Sequence, residues 1–137
     1  MEMSATFRRE IGALSDVFQL VERFFEDGCI NPEMRFPIDL AIEEIFTNLV
    51  RHNPSQSPIG ILLSLTNDEL KMALTDFDST PFDLTSEAPD VDINQPLEER
   101  KPGGLGVFLV KKIMDRVEYE HQSQSRMSTI TLYKRVG

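Results

Sequence analysis

A carboxylate and an amide lie four residues apart in the most regular apolar segment of the chain, at Glu44 and Asn48. Residues at this spacing project from the same side of a helix, so both side chains can reach one bound molecule. A carboxylate can accept a proton from an attacking hydroxyl, and an amide oxygen can ligate Mg²⁺. Such pairs are also common on solvated helix flanks, so the spacing alone does not distinguish catalysis from ordinary surface.

Two further features could contact a ligand. Asp76 closes a predicted strand, where its carboxylate could accept a hydrogen bond from an adenine amino group or simply serve a turn. The run Gly103-Gly104-Leu105-Gly106 directly precedes a predicted helix. Glycines let a backbone approach phosphates closely, and a helix start offers N–H donors to an anion. A flexible hinge is the alternative, because the run has neither a Walker ending nor Rossmann spacing.

The hydrophobic pattern predicts three helices and five strands. Apolar residues from Ile38 to Val50 form one helical stripe after Pro37, and Leu70 to Thr75 alternates as a strand does. The predicted helices cover 11–27, 38–52 and 107–115, and the predicted strands cover 6–9, 59–65, 70–76, 117–121 and 128–133. Strands joined by hairpins form a mixed, mostly antiparallel sheet, and the helices can cover one of its faces. The sequence therefore predicts an α/β (α+β) two-layer sandwich.

The bulk properties limit the partners and the compartment. The 137 residues suit one domain, residues 1–137, and the formal net charge of −9 disfavours nucleic acid and anionic membranes as partners. The single cysteine, Cys29, excludes an internal disulfide and fits a reducing compartment. No apolar run reaches transmembrane length, so we expect a cytoplasmic protein.

Three segments in order resemble a known family. "DLAIEEIFTNLVRHN", "LTDFDSTPFD" and "PLEERKPGGLGVFLVKKIMDRVEYE" are similar to the N, G1 and G2 boxes of the GHKL ATPases. More narrowly, they resemble the serine-protein kinases of the RsbW and SpoIIAB anti-sigma type. The likeness runs from about Pro37 to Lys134, and the "GGLG" segment is its most specific part.

The resemblance implies a role for each candidate residue. Glu44 matches the catalytic base, and Asn48 matches the Mg²⁺ ligand. Asp76 and Thr129 match residues beside the adenine of ATP. The irregular segment 79–102, which holds half of the eight prolines, matches a lid over the nucleotide. The positions that match the phosphate loop are Gly104, Leu105 and Gly106.

One position departs from the family pattern. The first box reads Asp-x-Gly in the family, whereas this chain has Asp76-Phe77-Asp78. If the family glycine is needed for positive φ, Asp78 costs about 1 kcal/mol or more at that point. Its charge could also face the phosphates, so the departure bears on nucleotide affinity rather than on the fold.

The resemblance and the departure leave three functions open. The first is an ATP- and Mg²⁺-dependent serine/threonine kinase that phosphorylates a small anti-anti-sigma (STAS-type) protein, holds a sigma factor inactive and forms a homodimer. The second is a kinase-inactive module of the same fold that binds a partner through its surface. The third is the detached ATPase domain of a sensor histidine kinase, which the absence of a phosphoacceptor helix from the sequence disfavours.

Overall fold

The computed structural model of the chain describes residues 1–52, 55–78 and 104–137. Short 3₁₀ turns lie at Ile11–Ala13 and Pro32–Met34. The helices are α1 (Leu14–Asp27), α2 (Arg35–His52) and α3 (Gly104–Ile113). The strands are β1 (Glu2–Phe7), β2 (Ile59–Thr66), β3 (Glu69–Asp76), β4 (Arg116–Gln122) and β5 (Met127–Arg135).

In the described part of the chain, five strands form one antiparallel sheet in the order β1-β2-β3-β5-β4. The turn between β2 and β3 consists of Asn67 and Asp68, whose φ angles are 51° and 66°. Positive φ at both central residues is what a tight hairpin requires, and Asn and Asp tolerate it better than most residues. The hairpin expected between the predicted strands 59–65 and 70–76 is therefore confirmed.

The core lies between the sheet and the helices. Successive strand residues point to opposite faces, so every second residue of a central strand turns towards the helices. α1 adds Phe24 to this core and α2 adds Phe46, and both rings are fully buried. The inward residues of the central strands are Ile59, Ile61, Leu63, Leu70, Met72, Leu74, Ile130 and Leu132. This arrangement confirms the predicted two-layer α/β sandwich.

Two helices begin elsewhere than predicted. Ile11, which the predicted first helix included, is 48% exposed and belongs to a 3₁₀ turn. α1 therefore begins after this turn, at Leu14. α2 begins at Arg35 rather than at residue 38. The Arg35 guanidinium lies 2.9 Å from the Asp39 carboxylate one turn later, and Pro37 needs no N–H partner in a first turn.

The third helix and the first strand are also longer than predicted. α3 begins at Gly104 instead of residue 107, so Gly104, Leu105 and Gly106 belong to the first turn of the helix rather than to a loop before it. β1 covers Glu2–Phe7 instead of 6–9 because it pairs along its whole length with β2. Its apolar residues Met3, Ala5 and Phe7 alternate with polar ones and pack against the core, a period of two that the predicted range 6–9 missed.

Some expectations fall outside the described residues, namely the lid at 79–102 and Gly103. Within the described ranges, no helix combines the length and apolar character needed to cross a bilayer.

Candidate functional site

The Glu44 side chain of α2 lies directly against Gly106 in the first turn of α3. A β-carbon added to Gly106 would overlap the carboxyl group of Glu44 and lie 3.2 Å from its Cγ. Glycine at this position therefore lets the start of α3 come close to the carboxylate. The structure brings together two residues that the sequence could only place in separate segments.

The environment of Glu44 favours its protonated form. Partial burial raises the pKa of Glu44 above its ordinary value of 4.5, the charge of Glu43 raises the pKa further, and Arg51 opposes both effects. A carboxylate with a raised pKa is a stronger base than an exposed one. Glu44 is therefore suited to accept a proton from a hydroxyl.

Asn48 is buried in the protein. Its residue surface is 2% exposed, and its Nδ2 donates a hydrogen bond to the Glu44 carbonyl oxygen at 2.7 Å. Among the described residues, no donor reaches the Oδ1 atom of Asn48. A buried amide oxygen that accepts from no described donor fits a ligand of Mg²⁺, which prefers oxygen atoms.

Asp76 ends β3 in a buried ion pair with Arg9, a residue to which no sequence motif drew attention. The Arg9 Nη1 and Nη2 atoms lie 3.1 Å and 2.5 Å from the two carboxylate oxygens of Asp76. The side chains of Arg9 and Asp76 are 3% and 2% exposed. Arg9 also donates to the carbonyl oxygens of Leu49 at 3.3 Å and Ser57 at 3.0 Å. Arg9 thus connects Asp76 to the C-terminal half of α2.

The structure does not bring Thr129 to the side of Asp76. Thr129 pairs with Thr75 across β3 and β5, and the two hydroxyl oxygens lie 3.2 Å apart on the opposite face of the sheet. Its neighbour Ser128 is paired with Asp76 and is 5% exposed on the helix side. His121 Nδ1 lies 2.7 Å from the Ser128 hydroxyl. Ser128, and not Thr129, therefore lies on the same face of the sheet as Asp76.

A model of one protein family spans this site and most of the chain. It is described as a histidine kinase-like ATPase domain, and it matches residues 7–134. The chain belongs to the histidine kinase-like ATPase domain family. The match covers all three segments that carry the resemblance, and the expected relation to the GHKL ATPases is confirmed.

Curated relatives of this ATPase domain carry the name serine-protein kinase RsbW. The protein from Halalkalibacterium halodurans is 34% identical over 91 residues, which are 63% of this chain and 55% of that protein. The protein from Staphylococcus aureus is 29% identical over 102 residues, which are 70% of this chain and 64% of that protein. The chain spans about half to two thirds of the length of these relatives. The expected resemblance to RsbW-type proteins is confirmed.

Two solved structures share the fold of this ATPase domain. The RsbU and RsbW domains of Rv1364c from Mycobacterium tuberculosis match with a TM-score of 0.70 and 15% identity, covering 99% of this chain and 32% of that one. The SiaB–SiaC complex from Pseudomonas aeruginosa matches with a TM-score of 0.61 and 8% identity, covering 96% of this chain and 87% of that one. At these identities the likeness concerns the fold alone.

Asp78, where this ATPase domain departs from the family glycine, has a relaxed backbone. The described non-glycine residues with positive φ are Cys29, Asn67, Asp68 and Arg126, and Asp78 is not among them. The Asp78 carboxylate accepts a hydrogen bond from Ser55 at 2.8 Å and lies 3.1 Å from the Arg126 guanidinium. Its N–H donates to Asp76 at 3.0 Å. The strain that positive φ would impose is absent, and Arg126 partly neutralises the charge.

The residues expected to form the phosphate loop lie at the start of α3. Gly104 is the first residue of the helix, and Leu105 and Gly106 follow in its first turn. The N–H groups of a first turn have no partner within the helix and can donate to an anion. Gly106 therefore combines a potential phosphate contact with the contact to Glu44.

Strand alternation is the signal that could have found the two missed residues. Arg9 falls two residues after Phe7, and Ser128 falls two residues before the buried Ile130. In a strand, residues two apart lie on the same face. Ser128 therefore shares the helix-facing side of the sheet with Ile130, whereas Thr129 faces the other way. No sequence pattern indicated that the partner of Arg9 would be Asp76.

Proposed function

We propose that this ATPase domain binds ATP with Mg²⁺ in the cytoplasm and transfers a phosphoryl group to a serine or threonine of a partner protein. The observation that carries the proposal is the contact between Glu44 and Gly106. It places a half-buried carboxylate beside the N–H groups of a helix start, and phosphoryl transfer needs a proton acceptor next to a phosphate site.

Each of the assembled groups supports one part of the reaction. The first-turn N–H groups of α3 bind phosphate oxygens, and Asn48 Oδ1 would hold the Mg²⁺ that neutralises phosphate charge. Glu44 accepts the proton of the attacking hydroxyl, which leaves a nucleophilic oxygen on the partner. Asp76 and Ser128 lie at the end of the sheet and receive the adenine. The net transfer forms a bond between that oxygen and the γ-phosphorus of ATP, breaks the bond from the γ-phosphorus to the bridging oxygen of the β-phosphate, and releases ADP.

The partners we propose follow from the RsbW-type resemblance. The curated relatives are named serine-protein kinases, and SiaB was solved in complex with a second protein, SiaC. We infer that the substrate is a small anti-anti-sigma (STAS-type) protein and that the unphosphorylated partner competes with a sigma factor. A homodimer is part of the same proposal. The net charge of −9 favours protein partners over nucleic acid.

Calorimetric titration with ATP and Mg²⁺, followed by a phosphoryl-transfer assay on a STAS-type protein, tests the proposal. Glu44→Gln should bind ATP within about three-fold of the wild type and lose at least about 100-fold in transfer rate, because a general base contributes this much or more. Glu43→Gln is the matched control, since Glu43 is exposed on the same helix. Wild-type transfer rates in Glu44→Gln would remove Glu44 from the mechanism.

A kinase-inactive binding module is the second candidate. It is favoured by the replacement of the family glycine with Asp78 and by the engagement of Asp76 with Arg9. Both features add polar groups to the adenine end of the site. The same titration separates the candidates, because a module of this kind would bind a partner protein while showing no heat of ATP binding.

A further inference from the structure

Three apolar side chains remain accessible on the two helices that carry Glu44 and Gly106. Phe36 and Leu40 belong to α2, and Leu109 belongs to α3. Phe36 is 76% exposed, the highest fraction for a large apolar side chain in the described part of the chain. Leu109 is 42% exposed, and Leu40 is partly exposed. Apolar side chains that form one patch mark a contact surface, whereas scattered ones do not, so their relative positions matter.

The two α2 residues lie in line with Glu44. Phe36, Leu40 and Glu44 follow one another at intervals of four residues, a spacing that keeps side chains on one side of a helix. The rise per residue places Leu40 about 6 Å and Phe36 about 12 Å along the helix axis from Glu44. These apolar residues therefore form a stripe that leads to the carboxylate.

The two helices run in opposite directions. Lys134 lies beside the start of β3 and donates to the Ile113 carbonyl oxygen, at the end of α3, at 2.7 Å. Arg9 donates to the Leu49 carbonyl oxygen, near the end of α2, and to Asp76 at the end of β3. The end of α3 thus lies over the start of β3, whereas the end of α2 lies over the end of β3.

This antiparallel arrangement brings Leu109 to the same stripe. α3 begins at its contact with Glu44 and runs from there towards the start of α2. Leu109 follows Gly106 by three residues, so it lies on the side of α3 that faces α2. Leu109 therefore borders the part of α2 that holds Leu40 and Phe36, and the three side chains form one patch.

A protein whose hydroxyl lies at Glu44 must continue along α2 in one direction or the other. Towards the end of the helix lies the exposed cation Arg51, and towards its start lie Leu40 and Phe36. An extended segment advances about 3.3 Å per residue, so its second residue from the hydroxyl reaches Leu40 and its fourth reaches Phe36. Residues two apart in such a segment point to the same side. Both can therefore face the apolar patch.

We propose that Phe36, Leu40 and Leu109 form a docking surface for the segment of the substrate protein that carries the phosphorylated serine or threonine. The segment binds in an extended conformation, with apolar side chains at about the second and fourth residues from the acceptor hydroxyl. The inference rests on the proposed function, because Glu44 defines where the hydroxyl lies. The exposed phenyl ring of Phe36 is the anchor, since buried aromatic side chains contribute most at protein interfaces.

Steady-state transfer from ATP to a STAS-type protein, with Mg²⁺ and the full chain, tests the docking surface. Phe36→Ser should raise the KM for the protein substrate by at least about ten-fold, because truncating an aromatic anchor weakens an interface by this much or more. Its affinity for ATP, measured by calorimetric titration, should stay within about two-fold of the wild type. Ile11→Ser is the matched control, since Ile11 is 48% exposed and lies in the 3₁₀ turn before α1.

The two measurements separate the docking surface from the ATP site. An unchanged KM for the protein substrate in Phe36→Ser would overturn the inference. An equal rise of KM in Ile11→Ser would also overturn it, because the loss would then not be specific to this surface. A wild type that binds no ATP, or binds it and transfers no phosphate, would instead refute the proposed function.

Two serine peptides of equal composition test the predicted spacing. One carries leucines two and four residues from the serine on both sides, and the other carries them one and three residues away. The wild type should phosphorylate the first with a kcat/KM at least about ten-fold higher, and Phe36→Ser should reduce this ratio to within about two-fold. Equal kcat/KM values in the wild type, or transfer to neither peptide, would overturn the extended binding mode.

Discussion

Replacing Gly106 with alanine would place a β-carbon in the space that the Glu44 carboxyl group occupies. The overlap involves the far end of a flexible side chain, so the carboxylate can rotate away. A side chain about 30° from its preferred rotamer costs about 0.5–1.5 kcal/mol. Against this, alanine in a helix is more stable than glycine by about 0.5–1 kcal/mol. The two effects nearly cancel, and Gly106→Ala should remain folded with a stability within about 1 kcal/mol of the wild type.

Activity should respond much more than stability. Displacing Glu44 removes a proton acceptor, and general bases contribute about 10²–10⁴ in rate. We expect Gly106→Ala to lose at least about 100-fold in phosphoryl transfer, a loss similar to that of Glu44→Gln. The β-carbon could also hinder the phosphates, so calorimetric titration with ATP should accompany the rate measurement and separate the two effects.

Two further variants complete this test. In a Glu44→Ala background the obstruction is gone, so Gly106→Ala should raise the free energy of unfolding by about 0.5–1 kcal/mol and lower the rate no further. Gly12→Ala is the control, because a β-carbon there meets no atom within 4 Å. Wild-type transfer rates in Gly106→Ala would refute the reasoning that the added β-carbon displaces the Glu44 carboxylate. A loss of several kcal/mol in the stability of Gly106→Ala would also refute it, because the carboxylate would then be unable to rotate away.

The remaining predictions concern three other features of the site. Asn48→Ala should abolish the Mg²⁺-dependent part of ATP binding. If titrations of this variant with and without Mg²⁺ match those of the wild type, Asn48 is not a ligand of Mg²⁺. Asp78→Gly should bind ATP within about two-fold of the wild type. It should lower the free energy of unfolding by up to about 1 kcal/mol, because it removes a partly exposed ion pair. Tighter ATP binding by Asp78→Gly would show that Asp78 obstructs the pocket. Since burial raises the pKa of Glu44 above 4.5, transfer should decline with falling pH while an ordinary glutamate is still ionised. The folded state binds this proton more tightly than the unfolded state, so Glu44 adds to the free energy of unfolding below pH 4.5. That contribution is lost as the pH rises through the raised pKa of Glu44. Chemical denaturation at several pH values should show this loss in the wild type and not in Glu44→Gln.

Local patterns in the sequence determined most of the architecture. The apolar stripe of α2, the alternation in β3 and the polar hairpin at 66–69 each contain their own signal within a few residues. Hydrophobic periodicity and turn chemistry act over such distances, which is why these elements were predicted nearly to their ends. The order of the motifs along the chain is likewise enough to identify Glu44 and Asn48 as candidates.

Tertiary contacts decided what the sequence could not. α3 begins within its glycine run because close packing of Gly106 against Glu44 outweighs the poor helix propensity of glycine. Arg9 and Asp76 are 67 residues apart, and their burial as a pair depends on where β1 and β3 lie in the sheet. Periodicity assigns a residue to a face of its own strand or helix. Which residue of a distant segment it meets there is decided by sheet order, register and packing, and these arise only when the whole chain folds.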